Sequence, residues 1–237
     1  MTVYDNIVIL TGAGISAESG LDTFRDKGGI WEKYDFMELA TPEAFARNPG
    51  LVHEFYNLRR AGVKKANPNA AHHALARLEE EYPGKVSLIT QNVDGLHERA
   101  GSRNLRHMHG ELDKARCVKC GTVSLWREDL AGTSICPSCG QVGGLRPHIV
   151  WFGEVPFYMD EINSLLRKCD IFISIGTSGS VYPAAGFVQV AAEYGAETVE
   201  LNLEPSDGKN LFAAGRYGQA TEIVPKYVAD LIRQDKI

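Results

Sequence analysis

Asn6-Ile-Val-Ile-Leu-Thr-Gly12-Ala-Gly14-Ile-Ser-Ala17 is the stretch from which the rest of the chain is read. An apolar run ending at Leu10 predicts a buried first strand, and the turn after it is glycine-rich. Gly12-x-Gly14-x-x-Ala17 fits a strand entering a helix over a bound pyrophosphate, where glycines allow a tight turn and let backbone N–H groups approach the phosphates. The same glycines also suit a purely structural strand-to-helix turn. Such a loop can hold a redox carrier, a phosphoryl donor, or a nucleotide that is itself consumed. A dehydrogenase would place a carboxylate about 20 residues on, at the end of its second strand, to hold the ribose. Here the next strand pattern begins near Val86, and the interval holds Thr23-Phe24-Arg25-Asp26 and Gly28-Gly29-Ile30-Trp31, a second flexible loop.

Outward from this turn, short β-type runs alternate with helical patterns, the signature of an α/β protein whose parallel sheet carries helices on both faces. Strands are expected at Asn6 to Thr11, Val86 to Thr90, Leu105 to His109, Asp170 to Gly176 and Glu197 to Leu203. Helices are expected at Ala70 to Tyr82, Tyr158 to Lys168, Pro183 to Tyr194 and Pro225 to Asp235, from apolar positions three and four apart. Two stretches interrupt the alternation: Gly20 to Pro68, mostly helical or looped, and Leu112 to Pro147, which carries cysteines. Together they are expected to build a small second domain.

The 237 residues suffice for one large core with an appended module. With 44% hydrophobic and 23% charged residues, the chain reads as folded and soluble rather than disordered. No apolar run reaches the roughly 18 residues of a membrane span, and the start has no basic, then apolar, signal pattern, so no membrane partner and a cytoplasmic address are expected. A net charge of −5 argues against nonspecific binding to a phosphate backbone, and no specific nucleic acid partner is expected.

Cys117-x2-Cys120 and Cys136-x2-Cys139 have the spacing of a four-thiolate zinc site. Four thiolates close the tetrahedron and leave no position for water, so one structural zinc is expected, with redox or disulfide use the lesser alternative. Cys169, at the end of an apolar helix face, reads as a small buried hydrophobe. Of seven histidines, His53, His72 and His73 fall in helical patterns, and His97 follows Gln91-Asn-Val-Asp94. His109 stands out in Arg-His-Met-His-Gly, because it is expected at a strand's carboxyl end, where open α/β sheets bind ligands. Asn92 and Asp94 share that edge. A neutral imidazole there could accept a proton at pH 7, though a structural histidine fits the spacing equally.

These motifs together resemble the sirtuin family: Gly12-Ala-Gly-Ile-Ser-Ala-Glu-Ser-Gly20, Thr23-Phe-Arg25, Gln91-Asn-Val-Asp94, His109-Gly110, the paired cysteines, Phe152-Gly-Glu154, Gly176-Thr-Ser178 and Asn202-Leu-Glu204. They run in family order from about residue 7 to residue 225. The resemblance implies NAD-dependent removal of acyl groups from protein lysine, with the nucleotide consumed. It also implies a Rossmann-type large domain (1-19, 69-111 and 148-237) and a smaller zinc-binding domain (20-68 and 112-147).

By the same resemblance, Gly12, Ala13, Gly14 and Ser16 line the cofactor, and Gly176, Thr177 and Ser178 meet its phosphates or adenosine ribose. Asn202, Leu203, Glu204 and Ala220 border the adenosine. Phe24, Arg25 and the loop to Trp31 cover the nicotinamide side, while Gln91, Asn92 and Asp94 hold nicotinamide and its ribose. His109 is the implied general base: an alkylimidate forms as nicotinamide leaves, and the acyl group then passes to ADP-ribose. Val150, Phe152, Gly153 and Glu154, with Gly176 to Ser180, are expected to pair with the acyl-lysine peptide as an added strand.

Tyr56 and Arg59 are three apart in Phe55-Tyr-Asn-Leu-Arg-Arg60 and share one helix face. Alone this could be a solvated basic face. The resemblance makes it the mark of class III, bacterial-like sirtuins, which remove succinyl and malonyl groups, with Ala40 widening the pocket and acetyl removal retained. Arg60 points off that face, structural or solvated. Kept as alternatives are a deacetylase with little acidic-acyl preference, a mono-ADP-ribosyltransferase, a nicotinamide dehydrogenase, and a zinc-ribbon binding module. The partners expected are acyl-lysine proteins or peptides, with a monomer plausible.

Overall fold

A computed structural model describes residues 4–23 and 35–234 of the chain. Among the described residues, the first strand β1 (Asn6–Thr11) leads through the short helix α1 (Gly14–Ala17) into α2 (Phe36–Leu39), α3 (Pro42–Arg47) and α4 (Pro49–Lys65). The chain returns through α5 (Ala70–Glu81), β2 (Lys85–Thr90), α6 (Leu96–Ala100) and β3 (Leu105–His107). A three-stranded excursion follows, β4 (Gly110–Cys117), β5 (Val123–Leu125) and β6 (Leu145–Ile149). The remainder is α7 (Met159–Leu166), β7 (Ile171–Ile175), α8 (Phe187–Glu193), β8 (Glu197–Asn202), β9 (Ala214–Tyr217) and α9 (Ala220–Gln234).

The large sheet has the order β3-β2-β1-β7-β8-β9, and every pairing in it is parallel. In β1, Ile7 to Thr11 are all buried because both sheet faces are covered, which is why the strand reads as an unbroken apolar run. Alternation sorts its side chains. Ile7 and Ile9 join a core with α5 and α9, while Val8 and Leu10 join one with α7 and α8. Cys169 is buried on the second face, and burial pushes its thiol up to about 11.

Several elements differ from the sequence reading. The strand carrying the histidines ends at His107, and Gly110, at a positive φ of 87°, starts β4 in the other sheet. A Cβ at Gly110 would lie 2.0 Å from the His148 carbonyl oxygen, so two backbones meet there. His109 therefore sits in the turn between two sheets rather than at a strand end. Pro225 lies inside α9, which begins five residues earlier. The reason is remote: the Glu18 carboxylate accepts from the Thr221 N–H at 2.9 Å and from its hydroxyl at 2.6 Å, capping the helix from α1.

The small sheet, in the order β5-β4-β6, is antiparallel and runs from Gly110 to Ile149. Helices α2 to α4 pack beside it through a third core in which Leu39, Val52, Phe55 and Tyr56 meet Leu112, Ile149 and Trp151. Helices α2 to α4 and the small sheet thus pack as one body.

Candidate functional site

The order of the large sheet reverses between β1 and β7, the switch point where parallel sheets leave a crevice at their carboxyl ends. The glycines there fit backbone to backbone. Gly12 N–H donates to the Ile175 carbonyl at 3.0 Å and Gly14 N–H to the Gly176 carbonyl at 2.9 Å. A Cβ on Gly14 would lie 2.8 Å from the Gly176 Cα, and one on Gly176, at φ 62°, would lie 2.5 Å from the Ile15 nitrogen. These glycines are required by the contact between two loops, a reason the local motif does not disclose.

Above this contact opens a cleft of ≈ 940 Å³ between the large sheet and the small body. It gathers Gly12, Ala13, Gly14, Gln91, Asn92, His109, Gly176, Thr177, Ser178, Asn202, Leu203, Glu204 and Ala220 on the large-sheet side. Ala40, Tyr56, Arg59, Val150, Phe152, Gly153 and Glu154 line it from the small body. Phe24, Arg25 and Trp31 lie outside the described residues. Ser16 and Asp94 are not on the cleft wall but buried beneath it.

Those two belong to a polar network that props up the wall. The Asn92 carboxamide donates to the Gly12 carbonyl at 3.0 Å and to Ser16 Oγ at 3.2 Å, and Ser16 Oγ donates to Asp94 Oδ2 at 3.1 Å. Asp94 Oδ1 accepts from the Leu96 N–H at 3.0 Å. Burial raises the Asp94 pKa, against the pull of these donors. Deeper still, Thr11 donates to Thr90 at 2.8 Å and meets His97 Nε2 at 3.0 Å. Burial holds His97 well below the usual imidazole range and lowers His72 to about 4, so both are neutral and structural.

His109 Nδ1 lies 3.2 Å from the Gln91 carbonyl oxygen. A carbonyl only accepts, so Nδ1 carries the proton and Nε2 keeps a lone pair. Burial lowers the His109 pKa, so the neutral, proton-accepting form prevails at pH 7.

On the opposite wall, Tyr56 is 2% exposed and its phenolic oxygen accepts the Trp151 indole N–H at 3.0 Å. That bond leaves the Tyr56 proton to be donated. Burial raises the phenol to about 12, so it stays protonated. The Arg59 guanidinium carbon lies 5.8 Å from the Phe55 ring centroid and 5.9 Å from that of Tyr56. Burial lowers its pKa while Tyr56 and Asp94 oppose the shift. Arg60 is buried and structural: its Nε donates to the Leu112 carbonyl at 2.7 Å and its Nη1 to Asn57 Oδ1 at 2.8 Å. Trp151, buried 95 residues away from Tyr56 in sequence and stacked 3.4 Å under the Arg146 guanidinium, is the positioning group that the sequence did not single out.

The segment from Val150 to Glu154 is a turn. Its Val150, Phe152 and Glu154 N–H groups donate to the carbonyls of His109, Ala40 and Trp151, at 2.9, 2.9 and 3.0 Å. The Glu154 carboxylate is held by Arg146 at 2.7 and 2.8 Å and accepts the Trp151 N–H at 2.9 Å. That carboxylate therefore braces the wall, and the added strand expected here has only the remaining backbone groups to pair with.

Outside the cleft lining, the four cysteines converge with all four sulfurs within 4.8 Å of one another. Cys117 and Cys139 are 3.8 Å apart and Cys120 and Cys136 are 3.7 Å apart. The edge of a tetrahedron with Zn–S bonds of about 2.3 Å is about 3.8 Å, which these two separations match, so the four thiolates fit a zinc ion. Each Cys-x-x-Cys closes with a glycine at positive φ, Gly121 at 74° and Gly140 at 72°, whose N–H returns to the carbonyl of the first cysteine at 2.9 Å.

Comparison with known proteins adds the following. A family model described as the Sir2 family matches residues 12–183. An NAD-dependent protein deacylase of Pasteurella multocida is 57% identical over 98% of this chain and all of its own. A deacylase of Leishmania major is 56% identical, covering 96% of both chains. Among solved structures, a Sir2 homolog–NAD complex superposes with a TM-score of 0.88 at 39% identity, covering 98% of this chain and 91% of that one. A Sir2 homologue bound to ADP-ribose gives 0.91 at 38% identity, over 98% and 94%.

Proposed function

Because this chain belongs to the Sir2 family, we propose that it is an NAD-dependent protein-lysine deacylase favouring succinyl and malonyl groups while also removing acetyl groups. Its products are nicotinamide, O-acyl-ADP-ribose and free lysine. The observation that carries the acidic preference is the single cleft shared by His109, Tyr56, Arg59 and Ala40. Supporting the general activity are the names of the bacterial and protozoan relatives, and a solved Sir2 complex holding a deacetylated peptide beside 3′-O-acetyl ADP-ribose, at 31% identity over 99% of this chain.

NAD, when bound, supplies a ribose whose bond to nicotinamide is broken and whose hydroxyls receive the acyl group. The Gly12 and Gly14 N–H groups are spent on β7 and its loop, so phosphate contacts fall to Ala13, Thr177 and Ser178. Asn202, Leu203, Glu204 and Ala220 border the adenosine side. Phe24, Arg25 and Trp31 are assigned to the nicotinamide cover. Gln91 and Asn92 face the nicotinamide end, with Ser16 and Asp94 bracing Asn92 from below. His109 Nε2 takes a proton from a ribose hydroxyl. Arg59 and the Tyr56 hydroxyl hold the distal carboxylate of the acyl group, and the Trp151 indole fixes the phenol for it. Backbone groups of Val150, Phe152 and Gly153 receive the peptide. Zinc on Cys117, Cys120, Cys136 and Cys139 holds the small domain's shape, and none of the four cysteines lines the cleft. The domain division 1-19, 69-111 and 148-237 against 20-68 and 112-147 is part of this reading.

The deciding experiment incubates the protein with NAD and one peptide carrying succinyl-, malonyl- or acetyl-lysine, followed by mass spectrometry. The expected result is one nicotinamide and one O-acyl-ADP-ribose per lysine freed, fastest with the acidic acyl groups. Equal rates for all three would leave a deacylase without acidic preference, and ADP-ribose attached to protein with no lysine freed would indicate ADP-ribosyl transfer.

A further inference from the structure

Two histidines of Arg106-His-Met-His109 grip successive carbonyls of the loop after β2. His109 bonds the Gln91 carbonyl from the cleft side. His107, behind the wall and 5% exposed, places Nδ1 2.9 Å from the Asn92 carbonyl and Nε2 2.6 Å from Glu98 Oε1 on α6. Both of its partners only accept, so both ring nitrogens must carry protons, and the ring is an imidazolium. Burial alone would discharge it, but Glu98 and the Asn92 carbonyl outweigh burial and raise its pKa above the ordinary 6.5. The partner agrees: although burial opposes its charge, His107 draws the Glu98 pKa down.

We propose that His107 is a positioning residue for the cleft: as an imidazolium anchored by Glu98, it holds the Asn92 carbonyl and so sets the Gln91–Val93 wall against which NAD binds. The inference rests on the NAD-dependent reading above and adds to it a control of cofactor affinity by pH. Loss of one proton leaves a single ring N–H for two acceptors, and if Nδ1 keeps it, a bare Nε2 faces a carboxylate oxygen across 2.6 Å. One of the two bonds must then break. The consequence passes straight to the wall, because the Asn92 side chain is tied to the Gly12 carbonyl and Ser16.

The other groups facing His107 leave this assignment in place. From β4, Glu111 adds negative charge but is itself paired with Lys114 at 2.7 Å. From the loop, buried Asp94 lies within reach of the His107 charge, which favours its ionised form. From α6, His97 is neutral. Glu98, His107 and Glu111 offer donor atoms within 4.8 Å of one another, but the Lys114 ammonium and the His107 proton balance the two carboxylates, so the cluster reads as an ion-pair network.

The test follows the His107 ring by NMR titration in the wild-type protein and in Glu98→Gln, with calorimetric NAD affinity and kcat/KM for NAD measured across pH 6 to 9. Glu98→Gln should lower the His107 pKa by about one unit, the size expected for losing an adjacent opposite charge. The alkaline decline of NAD affinity and of kcat/KM for NAD should move down with it, while KM for the acyl peptide stays put. His107→Gln keeps an N–H for the Asn92 carbonyl without a titrating proton, so its NAD affinity should lack the alkaline decline. Identical pH profiles of NAD affinity in wild type and Glu98→Gln would overturn the proposal, whether or not the ring titration moved. A wild-type protein that neither binds nor consumes NAD would instead refute the underlying reading.

Discussion

In the proposed reading, Arg59 and Tyr56 divide one task between a charge and a directed proton. If Arg59 meets the distal carboxylate in a desolvated site, its loss costs ~2 to 5 kcal/mol, so Arg59→Met should lower kcat/KM for a succinyl peptide by roughly thirty- to several-thousand-fold. The acetyl version of the same peptide should change far less, and an unchanged succinyl-to-acetyl ratio would remove the acidic preference. Tyr56→Phe should show the same bias at about 1 kcal/mol, and the structure adds a second cost: the buried Trp151 N–H loses its acceptor, which destabilises the fold by about 1 to 3 kcal/mol in a melting experiment. For His109, the lowered pKa sets the sign of the acid limb. With His109 as the base, activity should be present while the ring is neutral and fall away as pH drops through a value below 6.5 in a kcat–pH profile. His109→Tyr should keep the melting temperature and lower kcat by about 10²- to 10⁴-fold, the range for a lost general base; near-normal turnover would exclude the role. Tyr56 and Arg59 could be paired from their three-residue spacing, because helical periodicity is local. Trp151 could not, since nothing in the chain between them records that an indole will arrive at the phenol.

Among the elements, the buried parallel strands were legible, and the antiparallel strands and the exposed parallel edge strand β9 were not. β1 and β7 are buried on both faces and announce themselves as apolar runs, while β2 and β8, also buried, carry apolar and β-branched residues between polar ones. β9 is exposed throughout and has no such signal. β4 alternates but breaks register between Glu111 and Ala115, so its period is lost. The start of α9 was missed because its cap comes from Glu18, 203 residues away, whereas Pro225 offered a false local start. The zinc element lies at the other extreme, with ligands, spacing and closing glycines all in the sequence. Its own core among the described residues holds only Ala115, Cys117, Leu130, Cys136 and Leu145 with Trp126 packed against them, so the excursion is expected to depend on metal for its shape. Chelation should expose the amides of residues 112–147 to hydrogen exchange and reduce turnover as a consequence, with both restored by added zinc. Lost activity with exchange protection intact would point to a catalytic metal instead.

In the molecule as a whole, the cleft belongs to neither body alone, since its walls come from loops of the large sheet and from α4 and the segment after β6. A ligand bound there stabilises only the assembled state. NAD at about 100 times its Kd should add about 2.7 kcal/mol and raise the melting temperature by about 5 to 10 °C for a chain of this size; no shift would mean that the cleft does not bind NAD. Its floor is the pairing of β1 with β7, which joins Ile7 to Ile171 and Thr11 to Ile175. That register has a consequence for how the chain is made. Once made, β1 must wait for roughly 160 more residues before β7, its second neighbour, exists, about 8 to 30 s at ordinary rates of synthesis. Through that interval an apolar strand stands with both edges open until β2 is made and with one edge open after it. Slowing translation between residues 11 and 171 should therefore raise the fraction of nascent chains captured by chaperones, and hastening the arrival of β7 should lower it.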